Sequence, residues 1–191
     1  GELAPATAEE DESADKALGE RLLESAWNCM QRGELPAAID ALDAALKRDP
    51  DNVKGLLMRA DTRRRLNQFD AAIADSTRAI ALAPDHANAW AVRAVCHAYK
   101  GDLPASIRDS TRALELDPKN IAAYMERAAS RALSKDVRGA NADYGEVVVL
   151  DPKNEKARLR RGGTLFQLGD YAGAITNCTE ALKVGKHPKA W

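Results

Sequence analysis

The chain has 191 residues, with 28 basic and 29 acidic side chains and a formal net charge of −1. This balance excludes an overall positive field, so neither nucleic acid nor an anionic membrane surface is favoured as a partner. No apolar run is long enough for direct membrane insertion. The three cysteines, Cys29, Cys96 and Cys178, are scattered along the chain, which favours packed thiols in a reducing, cytoplasmic compartment.

Residues 1–18 form an acidic, alanine-rich leader. It shows no apolar periodicity up to about residue 12, which is typical of a flexible segment. Ser13 is a helix-capping residue type and precedes the apolar residues Leu18 and Leu22. We therefore expect the leader to be helical from about residue 13.

A repeat with a period of 34 residues organises the chain from residue 19 to residue 188. The pentapeptide Asp75–Ala79 recurs letter for letter at Asp109–Ala113. The same shift relates four prolines, Pro50, Pro84, Pro118 and Pro152. A fixed period of this length predicts stacked copies of one supersecondary element. The predicted repeats are 19–52, 53–86, 87–120, 121–154 and 155–188.

Each repeat is predicted to form two helices joined by a tight turn. The fourth, eighth and eleventh places of the first helix are mostly apolar or small and lie on one helical stripe. Glycine or asparagine, such as Gly33 and Asn67, supplies the left-handed backbone that ends a helix, whereas the fourth repeat has Lys135 there. Small residues in the second helix, such as Ala38 and Ala45, allow a close approach of the two helices.

These repeats resemble tetratricopeptide repeats. In the third repeat the family pattern of large apolar, small, glycine, alanine and proline places is carried by Trp90, Ala94, Gly101, Ala113 and Pro118. The resemblance covers nearly the whole chain. It implies an all-α, right-handed α-solenoid of about five helix-turn-helix repeats that serves as a scaffold for protein–protein interaction.

The fifth repeat departs from the pattern at its end. Lys186 stands where the other repeats have proline, and Pro188 comes two residues late. Residues 189–191 resemble the opening of a further helix or a C-terminal cap. Because a solenoid needs polar end caps, we expect the protein to continue beyond Trp191.

Arginine and aspartate occur together at two fixed places of the repeat, the seventh and the twenty-third. The matched residues are Arg59 with Asp75, Arg93 with Asp109, and Arg127 with Asp143. The first repeat lacks both partners, and the fifth has Arg161 but Asn177 in the place of the aspartate. This pattern predicts structural ion pairs between the two helices of a repeat. An anion-binding row of arginines is the alternative.

The family resemblance also implies a concave groove, lined by the first helices, that binds a peptide. The groove residues carried over to this chain are Leu23, Trp27, Met30, Leu57, Met58, Asp61, Arg64, Asn88, Val92, Val95, Tyr99, Met125, Glu126, Leu133, Lys156, Arg160 and Phe166. Its middle is expected to be an exposed apolar patch that suits an amphipathic helix or an extended apolar peptide, formed by Leu57, Met58, Val92, Val95, Tyr99, Met125 and Leu133. Three alternatives are that some of these side chains are core, that residues 13–18 fill the groove, or that another copy does.

No catalytic, metal or cofactor site is predicted. The three histidines, His86, His97 and His187, have no metal-ligand spacing, and no glycine-rich phosphate loop is present. The function favoured is a non-enzymatic adaptor that binds a peptide or helix of a partner protein. The alternative is a self-associating scaffold, which forms a homo-oligomer.

A third interpretation is a co-chaperone that grips the acidic carboxyl-terminal tail of a chaperone. Lys156 and Arg160 fit the last two places of the family's carboxylate clamp. Glu126, in a neighbouring clamp place, would repel a carboxylate, so this interpretation is not favoured.

Overall fold

The computed structural model describes residues 8–185, and the side chains of residues 15–183. This part of the chain contains ten helices and no strand, which confirms the all-α prediction. The first helices of the repeats are α1 (Ala8–Arg32), α3 (Val53–Arg65), α5 (Ala87–Tyr99), α7 (Ile121–Leu133) and α9 (Glu155–Gln167). The second helices are α2 (Leu35–Arg48), α4 (Phe69–Leu82), α6 (Leu103–Leu116), α8 (Val137–Leu150) and α10 (Tyr171–Gly185). The helix or cap predicted at residues 189–191 lies outside the described residues.

Helix α1 is longer than predicted. It begins at Ala8, within the segment expected to be flexible, and runs without interruption past the predicted leader boundary at Gly19. Residues 9–12 are all acidic. Acidic residues near the start of a helix are favoured by the positive end of the helix macrodipole, which accounts for the early start.

The helices pack in pairs within two compact units. The N-terminal unit, Gly1–Asp85, contains α1 to α4, and the C-terminal unit, His86–Trp191, contains α5 to α10. Each first helix packs against the second helix of its own repeat. Within a unit, a second helix also packs against the next first helix, as α2 does with α3, α6 with α7, and α8 with α9.

The first helix of every repeat ends in the same turn. The residues with left-handed backbone are Gly33, Asn67, Gly101, Lys135 and Gly169, with φ between 60° and 83°. In each case the next backbone N–H donates to a carbonyl five residues earlier, as Asp102 does to His97 at 2.9 Å. Lys135 adopts this conformation despite its Cβ, which costs about 1 kcal/mol relative to glycine.

Small residues fill the contact between the two helices of a repeat, as predicted. The fully buried alanines of this contact include Ala26, Ala38, Ala60, Ala72, Ala94, Ala128 and Ala140. In the fifth repeat the corresponding place holds Gly162, where a Cβ would lie 2.6 Å from the Sγ of Cys178. The Sγ of Cys178 therefore occupies the space that the Cβ of an alanine fills in the other repeats.

The arginine–aspartate pairs predicted between the helices are present in the structure. Arg59 donates from Nε and Nη2 to both oxygens of Asp75, at 3.0 and 2.7 Å. Arg93 contacts Asp109 at 2.7 and 2.9 Å, and Arg127 contacts Asp143 at 3.0 and 2.7 Å in the same fork-like arrangement. All three aspartates are buried, so the arginines compensate charges that water does not reach.

A second cation contacts the same carboxylate in two of the repeats. Arg63 donates to Asp75 and Arg131 donates to Asp143, both at 2.7 Å. In the third repeat this place holds His97, whose Nε2 lies 3.9 Å from Asp109. Asp109 consequently depends on Arg93 more than Asp143 depends on Arg127.

The difference between the pairs predicts an order of stability losses. We expect Arg93→Ala to lower the free energy of unfolding by about 3 kcal/mol, because Asp109 would be left buried without its main partner. Arg127→Ala should cost less, because Arg131 still neutralises Asp143. The control is Arg112→Ala, whose partner Glu115 is exposed, with an expected change below about 0.5 kcal/mol. Chemical denaturation measures all three, and equal losses for Arg93→Ala and Arg112→Ala would contradict the prediction.

Candidate functional site

Five of the predicted groove residues are buried. Leu23, Met30, Leu57, Met58 and Val92 are each exposed by less than a tenth of their surface. The expectation that Leu57, Met58 and Val92 form an exposed apolar patch is therefore wrong. Met58 belongs to the hydrophobic core of the N-terminal unit together with Leu23 and Met30, because the close approach of the helices covers these side chains.

An open pocket lies beside this core in the N-terminal unit, with a volume of about 680 Å³. Its lining residues come from α1, α3 and the turn before α3: Glu20, Leu23, Glu24, Trp27, Asn52, Lys54 and Met58. Trp27 is exposed, whereas Leu23 and Met58 contribute only an edge to the pocket. Asp15, from the leader, pairs with Arg48 of α2 at 3.0 Å, which holds this part of the leader against the N-terminal unit.

A second pocket, of about 460 Å³, lies in the C-terminal unit between the first helices of three repeats. We call it the α7 pocket. It is lined by Ala98, Tyr99, Ala122, Met125, Glu126, Ala129, Leu133, Tyr144, Lys156 and Arg160. Six of the predicted groove residues thus meet here. Tyr99 and Leu133 are exposed by 65% and 68%, so their apolar surfaces stand open at the mouth of the pocket.

The charged groups of the α7 pocket are divided between two helices. Lys156 and Arg160, on α9, are both exposed. Glu126, on α7, is half-buried and accepts a hydrogen bond from the hydroxyl of Ser130 at 3.3 Å. Ser130 in turn shares a hydrogen bond of 2.9 Å with Ser106 of α6. The carboxylate is thus tied to polar groups of the scaffold, while the two cations remain available on the other side.

Tyr144, from the second helix α8, contributes to the wall of the α7 pocket and was not predicted from the sequence. Its ring is almost fully buried. Burial raises the pKa of the Tyr144 hydroxyl, Glu126 and Asp143 act in the same direction, and Arg160 acts against them. The side chain therefore stays neutral near neutral pH. The sequence did contain a sign of it: the fourth repeat has the large Tyr144 at the place where the second and third repeats have serine, Ser76 and Ser110.

The other predicted groove residues lie outside these two pockets. Asp61 and Arg64 pair with each other at 2.7 Å on the surface of α3. Asn88 is exposed and Val95 is half-buried, both on α5. Phe166 is exposed on α9 and packs edge-to-face against Tyr171 of α10, with 5.4 Å between ring centroids.

The described residues show no arrangement that would point to catalysis by a metal. Among them, no group of three or more histidine, cysteine, aspartate or glutamate side chains is placed to hold a metal ion. Within the same part of the chain, no helix combines the length and apolar character needed to cross a membrane.

The fold is shared with solved structures of low sequence identity, each of which is similar to this chain over most of its length. Residues 41 to the end of MamA from Desulfovibrio magneticus RS-1 have a TM-score of 0.79 and 14% identity, covering 91% of this chain and 98% of that chain. TTC0263, a thermophilic TPR protein in Thermus thermophilus, has a TM-score of 0.73 and 18% identity, covering 90% and 93%. YrrB, a TPR protein with an unusual peptide-binding site, has a TM-score of 0.68 and 16% identity, covering 87% and 86%.

Sequence comparison gives the family. No match was found among curated proteins. The tetratricopeptide repeat family model matches residues 23–61, 57–121 and 122–190, which together include most of the chain. The resemblance drawn from the repeat pattern is confirmed, and the chain belongs to the tetratricopeptide repeat family.

Proposed function

We propose that this chain is a non-enzymatic adaptor whose α7 pocket binds a short segment of a partner protein. The observation that carries the proposal is the exposure of Tyr99 and Leu133 at the mouth of a pocket that also contains Met125. Large apolar side chains clustered in a concave, solvent-accessible surface usually mark an interaction site. Methionine is flexible and adapts to different apolar partners.

The charges around the pocket indicate the chemistry of the segment. Lys156 and Arg160 form a positive edge on α9, opposite the apolar residues of α5 and α7. We expect a segment with apolar side chains for the α5–α7 side and a carboxylate for the α9 side. A purely acidic tail fits less well, because it would place negative charge beside Glu126 and leave Tyr99 and Leu133 exposed.

A structural neighbour of the same fold supports the proposal. YrrB shares the fold and is described as having a peptide-binding site. Identity of 16% carries only the fold to this chain, so the pocket residues of this chain bear the proposal.

The test begins with peptides selected from a displayed random library against the wild-type protein. We expect Leu133→Asp to weaken binding of the selected peptides at least about tenfold, because it places a charge in the apolar part of the pocket. Isothermal titration calorimetry measures the affinity, and a short acidic peptide with a free carboxyl terminus serves as the probe for the co-chaperone interpretation.

The matched control is Val149→Asp. Val149 is 72% exposed, close to the 68% of Leu133, and lies on α8 outside the pocket. Both variants introduce the same charge at an exposed apolar position of the C-terminal unit, so their general effects are comparable. If the selected peptides bind Leu133→Asp as tightly as Val149→Asp, the α7 pocket is not the binding site.

Self-association is a second candidate function, favoured by the surface of α10. Leu182 is 59% exposed, whereas Leu46, its equivalent in the first repeat, is 6% exposed because Gly55 of the next first helix packs against it. Tyr171 and Ile175 are also exposed on α10. In the described part of the chain no helix covers Leu182 or Ile175, and a second copy that packed there would bury them.

Sedimentation velocity over a wide concentration range tests this candidate. If the chain self-associates, its sedimentation coefficient should rise with concentration. The Leu182→Lys variant should stay monomeric, because burying a lysine in an apolar interface would be costly. Val149→Lys, at an exposed apolar position on α8, is the control and should behave as wild type. A wild-type chain that remains monomeric at all concentrations would exclude the scaffold.

A further inference from the structure

The arginine–aspartate pairs follow a rule that the fifth repeat breaks. In three repeats the seventh-place arginine uses Nε and Nη2 on an aspartate located 16 residues later. At Arg59 and Arg127, Nη1 also reaches an oxygen located 16 residues earlier. Arg59 contacts Asp43 at 2.6 Å in this way, and Arg127 contacts Thr111 at 3.2 Å.

Both acceptors are missing around Arg161. The place 16 residues later holds Asn177, whose side-chain amide donates to the carbonyl of Gly173 at 2.9 Å. The place 16 residues earlier holds Gly145, which has no side chain. A Cβ on Gly145 would lie 3.6 Å from the guanidinium carbon of Arg161, so the guanidinium rests against the bare backbone of α8.

The hydrogen bonds of Arg161 are correspondingly incomplete. Its Nε is buried and, among the described residues, has no acceptor. The residue as a whole is half-buried, unlike its Nε. A buried donor without an acceptor is costly, and few such groups persist in native proteins without a reason.

The charges around Arg161 are also unbalanced. In the fourth repeat Arg127 and Arg131 face Asp143, and Arg131 also lies 3.7 Å from Asp136. In the fifth repeat Leu165 replaces the second cation and Asn177 replaces the carboxylate. Arg161 has no ion-pair partner in the described part of the chain.

We propose that Arg161 is a binding point for a carboxylate of a partner protein. A carboxylate of a partner can accept hydrogen bonds from the edge of the Arg161 guanidinium that Asn177 and Gly145 leave without an acceptor, and it can supply the missing negative charge. The site is separate from the α7 pocket, which is lined by Arg160 and not by Arg161. It therefore does not depend on the function proposed above.

The test follows the Nε–Hε resonance of Arg161 by NMR in the full chain, with loss of the signal in Arg161→Lys giving its assignment. Sodium acetate and an N-acetylated, C-amidated Ala-Asp-Ala peptide are the probes, each added against sodium chloride at equal ionic strength. We expect both probes to shift the Arg161 resonance saturably. The Arg127 resonance should not move, because Asp143 already occupies its donors.

Asn177→Asp is the decisive variant, because it restores the carboxylate within the chain. We expect it to move the Arg161 resonance toward the position of Arg127, to abolish the response to both probes, and to raise the melting temperature. Tighter binding of the peptide than of acetate would assign the ligand to a protein segment. No response beyond that of chloride, or the same response in Asn177→Asp, would overturn the proposal.

Discussion

The close contact between the two helices of each repeat decides where the larger side chains can lie. Alanine at the facing places of both helices, as at Ala26 and Ala38, leaves no room for larger side chains between them. Larger side chains are therefore directed to the next repeat, where they become core, or to the open side of the first helices. The α7 pocket exists because Tyr99, Met125 and Leu133 take the second of these directions.

The buried ion pairs fix the register of the two packed helices. A fork-like arginine–carboxylate contact holds one helix against the other at a single place along their length. The fifth repeat departs from the second, third and fourth repeats in both respects. Gly162 and Cys178 replace the usual small contact, and Arg161 lacks its carboxylate. Arg161 is thus left without the partner that its counterparts Arg59, Arg93 and Arg127 have in the second, third and fourth repeats.

The period, the turns and the ion pairs were readable from the sequence because they recur at one spacing. The first repeat has neither an arginine nor an aspartate at the places that Arg59 and Asp75 occupy in the second repeat. This comparison between repeats predicted the Arg59–Asp75 contact, which the structure contains. The groove was less predictable. The position of a residue within its repeat predicts the direction of its side chain but not how deeply the side chain is buried. Met58 is part of the core because Leu23 and Met30 pack around it. Tyr144 was missed because it lies on a second helix, and the groove was predicted to be lined by the first helices alone.

Methionine-methyl NMR can test whether a partner segment binds in the α7 pocket. The chain has three methionines, which report on three environments: Met30 in the N-terminal core, Met58 at the edge of the N-terminal pocket, and Met125 in the α7 pocket. On addition of a selected peptide, we expect a large shift of the Met125 methyl signal and no shift of the Met30 or Met58 signal. A shift of Met58 with Met125 unchanged would contradict binding in the α7 pocket.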